Sequence, residues 1–317
     1  MPCYHPLSAW QTSDGQVVFV ERSRFDIVKS LQLACGQCVG CRLEKSRQWA
    51  MRCLHEAKMH DKSCFITLTF APFSWYHARG RVDSYKEKKY DYDMQDSSLN
   101  LHYQQFQLFM KRLRKKYGSG IRFYMCGEYG EKFGRPHFHA AIFGHDFSDK
   151  YEPKRTESGS FVYRSRELEK LWDYGFSSVG DVTFESAAYI ARYIMKKITG
   201  DVAKHHYQVV DVSSGEIIKR VPEFNKMSLK PGIGAEWLAK WKDDVYPHDY
   251  VIINGKKVKP PKFYDLKYKK WNPYEWEEVE LSREQKAKDN FADNTDARLL
   301  VKETIAKKRI EMLKRKI

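Results

Sequence analysis

The sequence predicts an α+β fold, an antiparallel sheet of four to five strands with helices on one face, and three observations predict it. Short runs rich in β-branched and aromatic residues begin near residues 64, 121, 137 and 179. Stretches with helical spacing of apolar residues lie between and after them. Glycines and prolines punctuate the joints.

Taken in order, residues 64–70 form a strand that Pro72 stops. Residues 100–117 place Leu101, Phe106, Phe109, Met110 and Leu113 on one helical stripe, closed by Gly118 and Gly120. Residues 121–128 and 137–143 read as a hairpin around Gly130 and Gly134. A helix over 165–174, a strand over 179–184 and a helix over 186–198 follow, the last with Ile190, Ile194 and Ile198 spaced by four. The resulting order, β-α-β-β-α-β, is that of a ferredoxin-like palm.

Around this core, expected at 61–200, the chain divides into a Cys-rich N-terminal segment (1–60), an irregular extension (201–274) and a charged helical tail (275–317). The first contains a charged helix over 42–59. The extension carries Pro222, Pro231, Pro247, Pro260 and Pro261, and a basic helix is expected from Arg298 onward. Residues 72–98, polar and rich in Tyr and Lys, read as a long loop.

Among 317 residues, 56 Lys and Arg face 41 Asp and Glu, a formal charge of +15 that suits a polyanionic partner. Aromatic residues make up 15% of the chain, enough both to fill a core and to stack on unpaired bases. No apolar run is long enough to span a bilayer and the N-terminus lacks a signal-peptide pattern, so a soluble, intracellular protein without a membrane partner is expected. Seven cysteines, three of them in Cys35-Gly-Gln-Cys38-Val-Gly-Cys41, argue against a secreted disulfide framework.

Alternation along a strand puts His137 and His139 on one face and Phe138, Ala140 and Ile142 on the other. Hairpin pairing brings Glu128 across to the two imidazoles, giving a nitrogen and oxygen donor set suited to Mg²⁺ or Mn²⁺, with Zn²⁺ and Co²⁺ also open. The alternative is a solvated strand face on which Glu128 pairs with Arg135. Tyr189 and Tyr193, at i and i+4, share a helix face, and Lys196 and Lys197 follow within a turn. A tyrosine oxygen that attacks a phosphodiester keeps the bond energy in a phosphotyrosine, which a later 3′-hydroxyl can reverse. Packing residues with wet hydroxyls are the alternative. Thr67 and Thr69 either face the active site and contact DNA or serve as strand formers. Cys35, Cys38 and Cys41, completed by Cys3 or His5, can form a structural zinc site or remain reduced thiols. Gly232-Ile-Gly234 receives no role.

The conjunction of Phe65-Ile-Thr-Leu-Thr-Phe70, Gly127-Glu-Tyr-Gly130, Arg135-Pro-His-Phe-His139 and Tyr189-Ile-Ala-Arg-Tyr-Ile-Met-Lys-Lys197 resembles the HUH endonuclease superfamily. It looks most like the rolling-circle replication initiators of the Microviridae, especially the gokushovirus branch, over roughly residues 1–237. The Cys35–Cys41 run and Met227-Ser-Leu-Lys-Pro-Gly-Ile-Gly234 share that likeness. The resemblance implies that His137, His139 and Glu128 hold the cation. Tyr189 and Tyr193 would be paired nucleophiles that nick an origin, leave a 3′-hydroxyl primer and later rejoin the strand. Lys196 stands three residues after Tyr193, and Arg192 takes that place after Tyr189, so the two tyrosines are unequal. Thr67, Thr69, Arg135 and Arg192 are DNA-contact candidates. Viral origin DNA, single-stranded DNA, a host helicase and a host DNA polymerase would be the partners, in the host bacterial cytoplasm. No Gly-rich nucleotide loop is present, so unwinding is left to the host. Two rivals stay open: a non-enzymatic, zinc-containing single-stranded nucleic-acid-binding protein, and a relaxase or transposase of the same chemistry.

Overall fold

The computed structural model describes residues 3–20, 26–71, 100–130, 134–156, 159–196, 202–210, 215, 217–246 and 248–312. The expected long loop at 72–98 lies outside them. A small antiparallel sheet comes first, made of β1 (Leu7–Thr12), β2 (Val17–Val18) and β3 (Ile27–Leu33), and helix α1 (Val39–Ala57) follows. Next come β4 (Ser63–Phe70), α2 (Tyr103–Tyr117), β5 (Arg122–Tyr129), β6 (Pro136–Phe143), β7 (Lys150–Arg155) and β8 (Phe161–Ser165). Helix α3 (Arg166–Leu171), β9 (Gly175–Gly180) and α4 (Phe184–Lys196) complete the middle of the chain.

The large sheet runs β5-β6-β4-β9 at its centre. That is the strand order expected when β-α-β-β-α-β closes into one antiparallel layer. Leu68, Phe138, Ile142 and Met125 pack on Phe106, Phe109 and Leu113 of α2 and Leu168 of α3, so these two helices share one face as expected. Phe106 is fully buried and makes edge contacts with Phe123 and Phe138 at centroid distances of 5.2 and 5.7 Å. Phe106→Ala should cost roughly 3–5 kcal/mol of unfolding free energy. Denaturant unfolding checks this, since a loss under about 1 kcal/mol would mean that α2 is not part of the cooperative core.

Several expectations are corrected; the strand expected over 179–184 lies earlier, as β9, and Phe184 already begins α4. The sheet has seven strands among the described residues, not four to five, because β7 and β8 extend one edge and β12 (Phe224–Met227) the other. The polar β7 sequence hides a strand: it is an edge, charged, with Pro153 in an irregular stretch where pairing breaks. Helices also cover both faces. On the second face Tyr124, Cys126, Ala141 and Phe143 pack against Ala50 and Cys53 of α1 and Ala187, Ile190 and Ala191 of α4. Burial on both faces is why β5 and β6 carry apolar stretches at 123–126 and 140–143 in place of polar alternation.

The stretch expected to be irregular beyond residue 200 holds regular elements. These are α5 (Val202–His206), the hairpin β10 (Gln208–Val210) and β11 (Ile217–Lys219), β12, α6 (Ala235–Val245), the hairpin β13 (Val251–Ile253) and β14 (Lys256–Val258), and α7 (Lys262–Trp271). Pro222, Pro231, Pro260 and Pro261 sit between elements, and Pro247 lies outside the described residues. Helices α8 (Pro273–Asp289) and α9 (Asp296–Met312) form the charged tail. Leu238, Val245, Tyr264, Tyr268 and Trp276 pack on Met51, so this part leans on the back of α1. There His55 stacks on Trp237 at 3.5 Å and shares a 2.9 Å hydrogen bond with the Tyr264 hydroxyl. Burial pushes its imidazole down to about 3, which makes it a neutral core histidine at physiological pH.

The Gly232-Ile-Gly234 segment also finds its place. Ile233 enters the core, its carbonyl accepts from Arg52 Nε at 2.9 Å, and the Gly234 N–H donates to the buried Glu56 carboxylate at 2.6 Å. It fastens β12 and α6 to α1, a structural role.

Candidate active site

Registers across β5, β6, β4 and β9 assemble the site in two rows. Directly opposed residues in antiparallel strands present side chains to the same face. Glu128 pairs with His137, His137 with Thr69, and Thr69 with Phe176. In the next row Cys126 pairs with His139, His139 with Thr67, and Thr67 with Ser178. Both rows lie on the α1 and α4 face, because Phe138, Ala140 and Ile142 occupy the other.

Within that frame the polar groups are tied together. Glu128 and His139 are 4% and 7% exposed, and His139 Nε2 lies 2.7 Å from Glu128 Oε1. Thr67 Oγ1 lies 2.9 Å from His139 Nδ1, and Thr69 Oγ1 lies 2.8 Å from His137 Nδ1. The threonines expected to face DNA or merely shape the strand thus hold the imidazoles. A hydroxyl suits this because it both donates and accepts. It can donate to Nδ1 while Nε2–H donates to Glu128, or accept from Nδ1–H and leave the Nε2 lone pair for a cation.

A donor pair 2.7 Å apart is close to the ~2.9 Å between neighbouring ligands at ~2.1 Å from an octahedral divalent ion, so Glu128 and His139 fit such an ion. His137 stands apart from them. Its ring centroid is 6.2 Å from that of His139, and its Nε2 faces Gly130, where an added Cβ would be 2.7 Å away. A side chain at Gly130 would therefore push the His137 ring out of this position. Fixing an imidazole through its second nitrogen is typically worth 10–100-fold in metal affinity. Thr67→Val, which keeps the shape and removes the hydroxyl, should weaken Mn²⁺ binding within about that range in a titration. Unchanged affinity would leave Thr67 as a strand former only.

The tyrosine helix meets this cluster from above. The Tyr189 hydroxyl lies 3.4 Å from Glu128 Oε1, and its ring meets the His139 ring edge-on at 5.0 Å. Two side chains pin α4 beside that tyrosine. Ser46 Oγ on α1 donates to the Ala188 carbonyl at 3.0 Å, and Asn225 Nδ2 on β12 donates to the Ile190 carbonyl at 3.2 Å. Tyr193 lies one turn further along the same helix, with Arg192 before it and Lys196 in the last turn. Lys197 lies outside the described residues.

A family model described as replication-associated protein ORF2/G2P matches residues 63–198, from β4 through the tyrosine helix. Replication-associated protein VP4 of Bdellovibrio phage phiMH2K is 30% identical over 299 residues, covering 91% of this chain and 84% of that protein. The chain belongs to the replication-associated proteins of Microviridae-type phages. Replication-associated protein ORF2 of Spiroplasma virus 4 is 28% identical over 298 residues, 88% of this chain and 82% of that protein. Replication-associated protein ORF4 of Chlamydia phage 1 is 26% identical over 249 residues, 74% of this chain and 53% of that protein. No solved structure matches.

Several site residues escape sequence reasoning. Phe176, 50% exposed, ends the row that begins at Glu128, but one strand aromatic looks like another until its face is known. The Arg220 guanidinium lies 4.7 Å above the Tyr129 ring and against Gly134, where a Cβ would be 2.8 Å from it. A cation thus reaches the turn end of the β5–β6 hairpin from far along the chain. Arg135 sits at the same end, its carbonyl accepting from the Gly130 N–H at 2.8 Å. Asn225 comes from β12, and only the joining of that strand to β5 brings it to α4.

Proposed function

We propose that the chain initiates rolling-circle replication as an HUH-type nicking and joining enzyme. The observation that carries this reading is the Tyr189 hydroxyl set 3.4 Å from a Glu128 carboxylate that is itself 2.7 Å from His139. An activated nucleophile beside a carboxylate–imidazole pair is what phosphodiester cleavage by a tyrosine needs.

Glu128 and His139 would hold a divalent cation, Mg²⁺ or Mn²⁺, joined by His137 if its ring turns from Gly130 toward them; the ion would polarise a phosphate and stabilise the charge that grows on its oxygens. Tyr189 supplies the attacking oxygen, its proton directed toward the Glu128 carboxylate. As the Tyr189 O–P bond forms in line, the P–O3′ bond breaks and the leaving oxygen takes a proton. A 5′-phosphotyrosine and a free 3′-hydroxyl result. The 3′-hydroxyl then primes a host polymerase behind a host helicase. Tyr193, one turn on, serves as the second nucleophile at the end of a round, and a 3′-hydroxyl attacking the phosphotyrosine closes the circle. Lys196, Lys197, Arg192, Arg135 and Arg220 are the cations offered to the phosphates. Phe176 offers a ring on which a base of single-stranded DNA can stack beside the cut.

Supercoiled circular DNA of the genome that encodes the chain, incubated with the protein and Mn²⁺ and then denatured in detergent, tests this. Nicked circles with protein attached to the 5′ end are expected. Binding without any nick or attached protein would leave a nucleic-acid-binding module in place of an enzyme.

A further inference from the structure

A second cluster lies away from the tyrosine site. The sulfurs of Cys3, Cys35, Cys38 and Cys41 all lie within 4.8 Å of one another, the group among the described residues with that convergence. Cys35 and Cys41 are 4.0 Å apart, as are Cys38 and Cys3. Disulfides need ~2.05 Å, and all four cysteines are free. Zn–S bonds of ~2.3 Å put the sulfurs of a tetrahedral centre ~3.8 Å apart, which the cluster nearly matches. A four-iron cluster would have to push the sulfurs much further apart.

The surroundings suit thiolate charge. The Cys35 N–H donates to Cys3 Sγ at 3.3 Å, the Cys38 N–H to Cys35 Sγ at 3.3 Å, and the Tyr4 N–H to Cys38 Sγ at 3.4 Å. Cys38 is the N-cap of α1, and its sulfur also accepts from the Cys41 N–H at 3.5 Å. The positive end of that helix therefore faces the sulfurs. His5, the alternative fourth ligand in the sequence, is engaged elsewhere: its Nε2 lies 2.8 Å from the Glu303 carboxylate on α9.

The cluster also sits where the fold is poor in apolar burial. In the β1–β3 sheet Ala9 is buried, whereas Leu7, Val17 and Val28 are 45%, 44% and 69% exposed. A three-stranded sheet with so little core needs another source of stability. We propose that Cys3, Cys35, Cys38 and Cys41 bind one zinc ion, a structural centre that fastens the start of the chain to α1 and thereby steadies the tyrosine helix. Four S–H bonds are lost and four Zn–S bonds form. The protons pass to solvent and no oxidation state changes. The route to the active site is short, because Ser46 on α1 holds the carbonyl of Ala188, the residue before Tyr189.

Elemental analysis of the full chain, purified without added metal, should find about one zinc per chain. That zinc should persist in Glu128→Ala and be lost in Cys38→Ser/Cys41→Ser. Cobalt substitution of the wild type should give the intense near-ultraviolet thiolate band and the visible bands of a tetrahedral S₄ site. Should the double variant fail to fold, thiol titration of the wild type decides. A strong chelator should release zinc together with four newly reactive thiols and lower the melting temperature, and zinc but not Mg²⁺ should restore it. Zinc-free native protein whose cysteines react at once and whose melting temperature ignores zinc would overturn the proposal, as would iron or a disulfide at these positions.

Discussion

Replacing Tyr189 and Tyr193 together by Phe is expected to leave DNA affinity within about threefold of wild type, since phosphate contacts dominate such binding. Nicking and the covalent adduct should fall by on the order of 10⁴-fold or more, the scale on which removal of a nucleophile acts. The Tyr189 ring already packs edge-on against His139 and Phe65, and Phe keeps those contacts. At Tyr189 the loss will therefore read the missing oxygen alone. Gel assay of denatured reaction mixtures measures it. The single variants separate the two roles: Tyr189→Phe should remove the first cleavage, and Tyr193→Phe should stall the cycle with a persistent adduct.

Glu128→Ala should be nearly as damaging. Its carboxylate contacts both His139 and Tyr189. In the proposed mechanism its loss removes a ligand and the acceptor of the tyrosine proton together, so nicking should drop by more than the roughly 10–100-fold expected for a group that only orients a ligand. Glu128→Gln keeps the shape and an acceptor oxygen but loses the charge. It should recover adduct only weakly, whereas recovery near wild type would mean that Glu128 acts by shape alone. Divalent-ion titrations of both variants distinguish weaker loading from slower chemistry, because only the former is rescued by excess Mn²⁺.

How much of this was legible in the chain follows from the range of each interaction. The alternation that puts His137 and His139 opposite Phe138 is local and needs no knowledge of the rest of the fold. Opposing Glu128 to His137 needed only a hairpin of the right length, and the register has that pair. The carboxylate nevertheless makes its short contact with His139, one row over, a diagonal choice that strand spacing does not encode. Threonine hydroxyls on the histidines were invisible for a different reason. Thr67 and Thr69 lie about seventy residues from their partners, and a β-branched residue in a strand has an adequate explanation without them.

The second covered face was written in β5 and β6 themselves, whose apolar stretches at 123–126 and 140–143 do not alternate with polar residues, as in strands buried on both sides. Taking one face for chemistry alone hid it, whereas in fact the site occupies one end of that face and α1 and α4 cover the remainder. Strand β7 was masked by its charges, which an edge strand needs and which look like a loop. The cysteines show the opposite case. Three at tight spacing already suggested a site, and the fourth, thirty-two residues earlier at Cys3, could be told from His5 only in three dimensions.

The most direct test is to map the covalent linkage. Protein reacted with its supercoiled DNA and Mn²⁺, digested with nuclease and protease, should yield a nucleotide-bearing peptide. Mass spectrometry should place the phosphate on the Tyr189 oxygen after the first cleavage, with a free 3′-hydroxyl at the nick. A 5′-phosphate end with no peptide attached, or a nucleotide carried by a residue outside the helix Phe184–Lys196, would contradict the role given to this tyrosine.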